Sequence, residues 1–141
     1  RTASVEARNL QPPYKIEVLV QGCRDLPKMD TFGKCDAYVV IKTGNQEKKT
    51  NRVDKNYDPD FNENYTFDVR DSSASLAVTV WDYDRGSTDD MVGSVRIPLG
   101  KMTAGVPVEG CYRLLDKKGN AVQGHSKKET RLLLKLTAFP G

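Results

Sequence analysis

Apolar and polar residues alternate with a period of two along most of this chain, the pattern of half-buried β-strands. Tyr14, Ile16, Val18 and Val20 alternate with Lys15, Glu17 and Gln21 and predict the first strand. Ala37 to Ile41 predicts a second, and Gly44-Asn45 is a two-residue hairpin signal. Gln46 to Val53, rich in Lys and Thr, is expected to return as a third strand. Phe61 to Val69 alternates through Tyr65 and Phe67; Leu76, Val78 and Val80 do the same, with Trp81 on the other face. Met91 to Leu99, a stretch around Cys111 to Leu115, and Arg131 to Phe139 supply the rest. Between them lie turn residues, Pro59 among them, and no stretch carries the 3.6-residue period of an amphipathic helix. The fold class is all-β: an eight-stranded antiparallel β-sandwich. Residues 1–13, ending in Pro12-Pro13, lack periodicity and are expected to be a linker or chain edge; residues 14–139 form the domain.

Composition narrows the function more by exclusion than by indication. The chain of 141 residues suits one hydrophobic core. Its longest apolar runs are too short for a transmembrane helix. A net charge of +3 is too small to argue for nucleic acid, so none is expected as a partner. The cysteines, Cys23, Cys35 and Cys111, form no CxxC pair, and the single His125 adds no zinc ligand. Reduced thiols in a cytoplasmic protein are the favoured expectation, with Cys23 and Cys35 flanking one loop and Cys111 buried in a strand. There is no Gly-x-Ser-x-Gly and no phosphate-cradling glycine loop, so no enzyme is expected.

The chemistry sits in two acidic loops. One carries Asp30 and Asp36; the other, WDYDRGSTDDMVG, carries Asp82, Asp84 and Asp90, with Asp89 beside them. Asp82 and Asp84 are two residues apart, which points both to one side of an extended segment. Were both loops at one end of the sandwich, five carboxylates would converge. Two unit charges about 4 Å apart repel by about 4 kcal/mol at an effective dielectric constant of about 20, so such a group calls for neutralisation. Calcium, which takes six to eight oxygen ligands, answers that need. A lone Asp pair in a turn usually bonds only local backbone, but two such loops in one small β domain are harder to explain that way. An EF-hand is excluded, because counting from Asp82 puts Gly86 at position 5 and Gly93 at position 12. Glycoside hydrolysis would also use paired carboxylates, but nothing else suggests a sugar cleft.

The strings LPKMDTFGKCDAYV, KKTNRVDKNYDPDFNENYTF and VTVWDYDRGSTDDMVGSVRIPL together resemble the C2 domain, the calcium-dependent membrane-binding module of conventional protein kinase C and the synaptotagmins. The resemblance covers residues 14–139. Ala37 stands where the family's loop usually has Pro. By resemblance, the calcium ligands fall on Asp30, Asp36, Asp82, Asp84 and Asp90. Ser87 and the backbone carbonyls of Met29 and Tyr83 are implied as further donors. The order of elements resembles the permuted, phospholipase-like topology.

The resemblance implies calcium-dependent binding of anionic phospholipid membranes by a targeting module of a larger protein, monomeric as an isolated domain. It would be cytoplasmic and become peripheral to a membrane when calcium rises. Phe32 and Met29 are expected at the tip of the first loop. Burying Phe32 in lipid would contribute about 1.5–3 kcal/mol; the alternative is that it packs back against its own loop. Lys34 and Arg85 lie in the same two loops and would meet anionic headgroups, each worth about 1 kcal/mol. Gly86 leaves the second loop without an apolar tip. Lys42, Lys48, Lys49 and Arg52 mark a cationic face where some relatives bind phosphoinositides, although Val40 and Asn51 replace two of that family's lysines. The competing function is a calcium-independent protein–protein interaction module that docks by an edge strand or by this face.

Overall fold

All eight predicted strands form, and they pair into two antiparallel sheets. The computed structural model describes residues 10–29, 33–100 and 102–141. The strands are β1 (Tyr14–Arg24), β2 (Ala37–Thr43), β3 (Gln46–Lys49), β4 (Asp60–Val69), β5 (Ser75–Asp82), β6 (Asp90–Pro98), β7 (Val108–Arg113) and β8 (Arg131–Pro140). One sheet has the order β4-β1-β8-β7 and the other β3-β2-β5-β6. The last strand therefore lies beside the first, with Ile16 opposite Ala138 and Val20 opposite Leu134.

The alternation in sequence is the alternation in burial. Ile16, Val18 and Val20 of β1 and Leu132, Leu134 and Leu136 of β8 point into the sandwich. Val39 and Ile41 of β2 and Leu76, Val78 and Val80 of β5 meet them from the other sheet. Each such side chain is worth about 1.5–3 kcal/mol of transfer free energy, so the interior apolar rows hold the two sheets together. Leu134→Ala, in the middle of this layer, would cost about 2–5 kcal/mol.

Four details depart from the sequence expectation, the first being that β7 spans Val108–Arg113 rather than Cys111 to Leu115. β1 runs on to Arg24 through a bulge between Val20 and Gly22, which resets the alternation and buries Cys23. β3 stops at Lys49 rather than continuing to Val53. Thr50 turns inward there, its hydroxyl accepting the Val39 N–H at 3.0 Å, and Val53 rejoins β2 only as a bridge to Ala37. Cys111 is exposed, not buried. β7 is an edge strand whose inward positions are Gly110 and Tyr112, opposite Leu134 and Leu132, which leaves Cys111 on the outer face with Leu133. The Tyr112 ring lies over Gly110 so closely that a Cβ there would collide with it. Residues 1–9 of the predicted linker lie outside the described residues, while Leu10 donates its N–H to the Met102 carbonyl at 2.7 Å.

The strand ends decide where the loops gather. Ala37 pairs with Asp82, Asp82 with Asp90, Gly22 with Asp60 and Arg113 with Arg131. The connections 25–36, 50–59, 83–89 and 114–130 consequently emerge at one end of the sandwich.

Candidate functional site

The two acidic loops are brought together by sheet register. Asp82 continues the buried face of β5 beyond Val78 and Val80 and is only 5% exposed. Its cross-strand partner on β6 is Asp90, and on β2 it is Ala37, the residue after Asp36. Residues directly opposite in an antiparallel ladder share a face, and like charges there are destabilising. The backbone ties the same residues. The Asp36 N–H donates to Asp82 Oδ1 at 2.8 Å, and the Tyr83 N–H donates to the Asp36 carbonyl at 2.9 Å. A third loop braces the pair from outside, where the Lys55 N–H donates to Asp36 Oδ1 at 2.7 Å.

Loop 83–89 folds around Asp84. Its Oδ1 accepts the Gly86 N–H at 3.0 Å and its Oδ2 accepts the Ser87 hydroxyl at 2.9 Å. Ser87 thus stands next to the carboxylate with which the resemblance groups it, and its oxygen keeps lone pairs for another partner. Arg85 is exposed in this loop. Tyr83 carries the Arg52 guanidinium 3.9 Å over its ring, and Arg52 is held in turn by Asp54 at 2.5 Å. That pairing raises the Arg52 pKa further.

The first loop is described in part. Asp30 and Phe32, a predicted ligand and the predicted membrane anchor, lie outside the described residues. Met29 is half-buried against the core, and Lys34 is exposed with its ammonium 5.5 Å from the Tyr57 ring centroid. The Tyr57 ring stacks on His125 at 3.7 Å, and His125 Nε2 lies 3.1 Å from Asp25 Oδ1. Asp25 also accepts the Ser126 hydroxyl at 2.7 Å, the chief cause of its lowered pKa. This clamp joins the root of loop 25–36 to loop 114–130. Sequence reasoning missed it, because Asp25 and Ser126 are 101 residues apart.

The donor chemistry fits a hard divalent cation. Asp36, Asp82, Asp84 and Asp90 offer only oxygen, and the neighbouring thiols are poor competitors. Burial pushes Cys23 up to about 12, and burial followed by the charge of Asp82 pushes Cys35 higher. Among the described residues, however, no three His, Cys, Asp or Glu side chains close into a set able to hold a metal ion.

The predicted cationic face divides. Lys42 and Lys49 lie on the outer side of the β3-β2-β5-β6 sheet; Lys42 pairs with Glu47 at 3.3 Å and Lys49 sits 5.4 Å from the Tyr38 ring centroid. Lys48 pairs in register with the buried Ile41, so alternation turns it away from them. Arg52 belongs to the loop end, stacked on Tyr83. Arg96, opposite Ala77 and separated from Lys42 by that one strand, joins the outer face; the sequence pattern did not single it out.

Comparison with known proteins gives one consistent result. The family model described as "C2 domain" matches residues 14–114. The eye isozyme of protein kinase C from Drosophila melanogaster is 34% identical over 109 residues, 72% of this chain and 15% of that protein. Multiple C2 domain and transmembrane region protein 6 from Arabidopsis thaliana is 41% identical over 112 residues, 75% of this chain and 11% of that protein. The chain therefore spans a small part of the curated relatives it matches. Among solved structures, a C2 domain of plant extended synaptotagmin 1 superposes with a TM-score of 0.80 at 24% identity, covering 94% of this chain and 98% of that one. The calcium-bound tandem C2 domains of extended synaptotagmin 2 give 0.72 at 22% identity, covering 93% of this chain and 47% of that one. At these identities the likeness is one of fold.

Proposed function

Since this chain belongs to the C2 domain family, we propose that it is a binding module that attaches its parent protein to anionic phospholipid membranes in response to calcium. The observation that carries the proposal is the pairing of Asp82 with Asp90 across the β5–β6 ladder, with Asp36 bound to Asp82 through its N–H just before β2 and Asp84 two residues beyond Asp82. Two carboxylates opposite each other in a sheet ladder oppose folding unless something compensates them. Asp30 is proposed to complete the set from the other loop, with Ser87 and the carbonyls of Met29 and Tyr83 as further donors.

Calcium, when bound there, supplies positive charge and open coordination positions for lipid phosphate or carboxylate oxygens. The chain's own residues do the rest. Lys34 and Arg85, exposed in the two loops, add attraction to a negative surface. Phe32 is proposed as the apolar contact; Met29, half-buried against the core rather than at a loop tip, is left with its proposed role as a carbonyl donor. Lys42 and Lys49 are the lysines that remain for a phosphoinositide headgroup, a smaller set than the four cations of the sequence pattern. The proposed strand arrangement is the permuted one, with β1 between β4 and β8. The proposed setting is the cytoplasmic face of a membrane, reached reversibly by a domain that is monomeric in isolation.

Sedimentation with vesicles tests this. The domain should pellet with phosphatidylserine-containing vesicles in calcium and stay in solution with a chelator or with phosphatidylcholine alone. Equal pelleting with and without calcium would favour a calcium-independent module instead.

A further inference from the structure

Asp89 is half-buried, unlike the exposed Asp90 beside it, and both of its oxygens are engaged within the protein. Oδ2 accepts the hydroxyl of Tyr38, and Oδ1 accepts the Asp84 N–H at 2.9 Å. Tyr38 stands on β2, an inner strand of its sheet, directly opposite Trp81 of β5. The carboxylate therefore connects a rigid strand to the backbone of the residue whose side chain faces the proposed ion. It also closes loop 83–89 on itself, joining residue 84 to residue 89 while Asp84 gathers Gly86 and Ser87. We propose that Asp89 is a positioning residue: anchored by Tyr38, it fixes the backbone at Asp84 so that the Asp84 carboxylate is presented to calcium, without itself becoming a ligand. This rests on the calcium reading given above.

The chemistry of the pair suits that role. The Tyr38 hydroxyl donates to one Asp89 oxygen and the Asp84 N–H to the other, so both oxygens already have a partner inside the protein, whereas Asp90 is the cross-strand partner of Asp82.

Four variants distinguish this role from the alternatives, using calcium calorimetry without lipid, melting of the calcium-free protein, and amide exchange at residue 84. Asp89→Ala removes both bonds and should weaken calcium binding at least tenfold. Tyr38→Phe removes only the anchor and should weaken it about fivefold. Asp89→Asn keeps an oxygen for the Asp84 N–H and an amide for the Tyr38 oxygen, so it should stay within about twofold of wild type. Asp90→Asn, a ligand change, should weaken binding while leaving exchange at residue 84 unaltered; the Ala and Phe variants should speed that exchange in the calcium-free protein. Were Asp89→Asn as damaging as Asp89→Ala, with Tyr38→Phe harmless, Asp89 would be a ligand and the proposal would be overturned. A lower melting temperature in Asp89→Ala with calcium affinity intact would also overturn it, by showing a merely structural role. Wild-type protein that binds no calcium would overturn the calcium reading and this proposal with it, whereas wild-type binding with both variants unaffected would overturn this proposal alone.

Discussion

Asp82 lies directly opposite Asp90 across the β5–β6 ladder, and its Oδ1 accepts the Asp36 N–H at 2.8 Å. One carboxylate thus does two things: it belongs to a repulsive pair, and it satisfies a backbone donor of the neighbouring loop. These roles separate on substitution. Asp82→Asn keeps an acceptor oxygen and removes the charge, so the calcium-free protein should melt no lower than wild type while calcium affinity falls at least tenfold, about 1.4 kcal/mol. Asp82→Ala also strands the Asp36 N–H, which should cost about 1–3 kcal/mol. Melting curves and calorimetry on the two variants check both effects.

The Asp25 clamp should give the domain an acid-sensitive step. The Asp25 carboxyl is held below its ordinary range, first by the Ser126 hydroxyl, with further help from the Ser126 N–H and His125. A group with a depressed folded-state pKa contributes stability above its unfolded value, about 3.9 for Asp, and loses it as pH falls through the folded value. Melting temperature should therefore drop on acidification below about pH 4, and Asp25→Asn should be less stable than wild type at neutral pH with a flatter acid limb. Gly124→Ala should also destabilise, since a Cβ there would collide with the Asp25 carbonyl.

Thiol labelling checks the corrected place of Cys111. Of the three free cysteines, Cys111 alone is exposed. A thiol reagent should modify it in the folded protein and reach Cys23 and Cys35 only after unfolding. Rapid labelling of Cys23 or Cys35 under native conditions would contradict the burial described for them.

The period-two pattern finds the core strands, because in a sandwich burial follows alternation directly; the edge strand β7, Val108–Arg113 rather than Cys111 to Leu115, carries no buried row to place it. The pattern fails where something other than alternation sets the local geometry. The bulge near Gly22 moves Cys23 inward without any apolar residue announcing it. The hydroxyl of Thr50 ends β3 at a position that composition alone would continue. The usual preference of a free cysteine puts Cys111 inside, but its partner Leu133 and the edge position of β7 turn it outward. At the site, the spacing of Asp82, Asp84 and Asp90 is legible because it lies within one loop. The Tyr38–Asp89 bond and the Asp25–Ser126 bond join residues 51 and 101 positions apart, so no local spacing could reveal them. The Asp89-Asp90 doublet is the one available signal, and only register separates its two members.

The central claim is that the acidic end of the sandwich holds calcium, and the melting temperature of the wild-type domain tests it most directly. Calcium that binds the folded loops and not the unfolded chain should stabilise by about 2.7 kcal/mol at a hundredfold excess over its dissociation constant. The melting temperature should rise with calcium concentration and saturate. Magnesium, which prefers tight octahedral sites and keeps its waters, should do much less. A melting temperature unchanged by millimolar calcium, or raised equally by magnesium, would contradict the account.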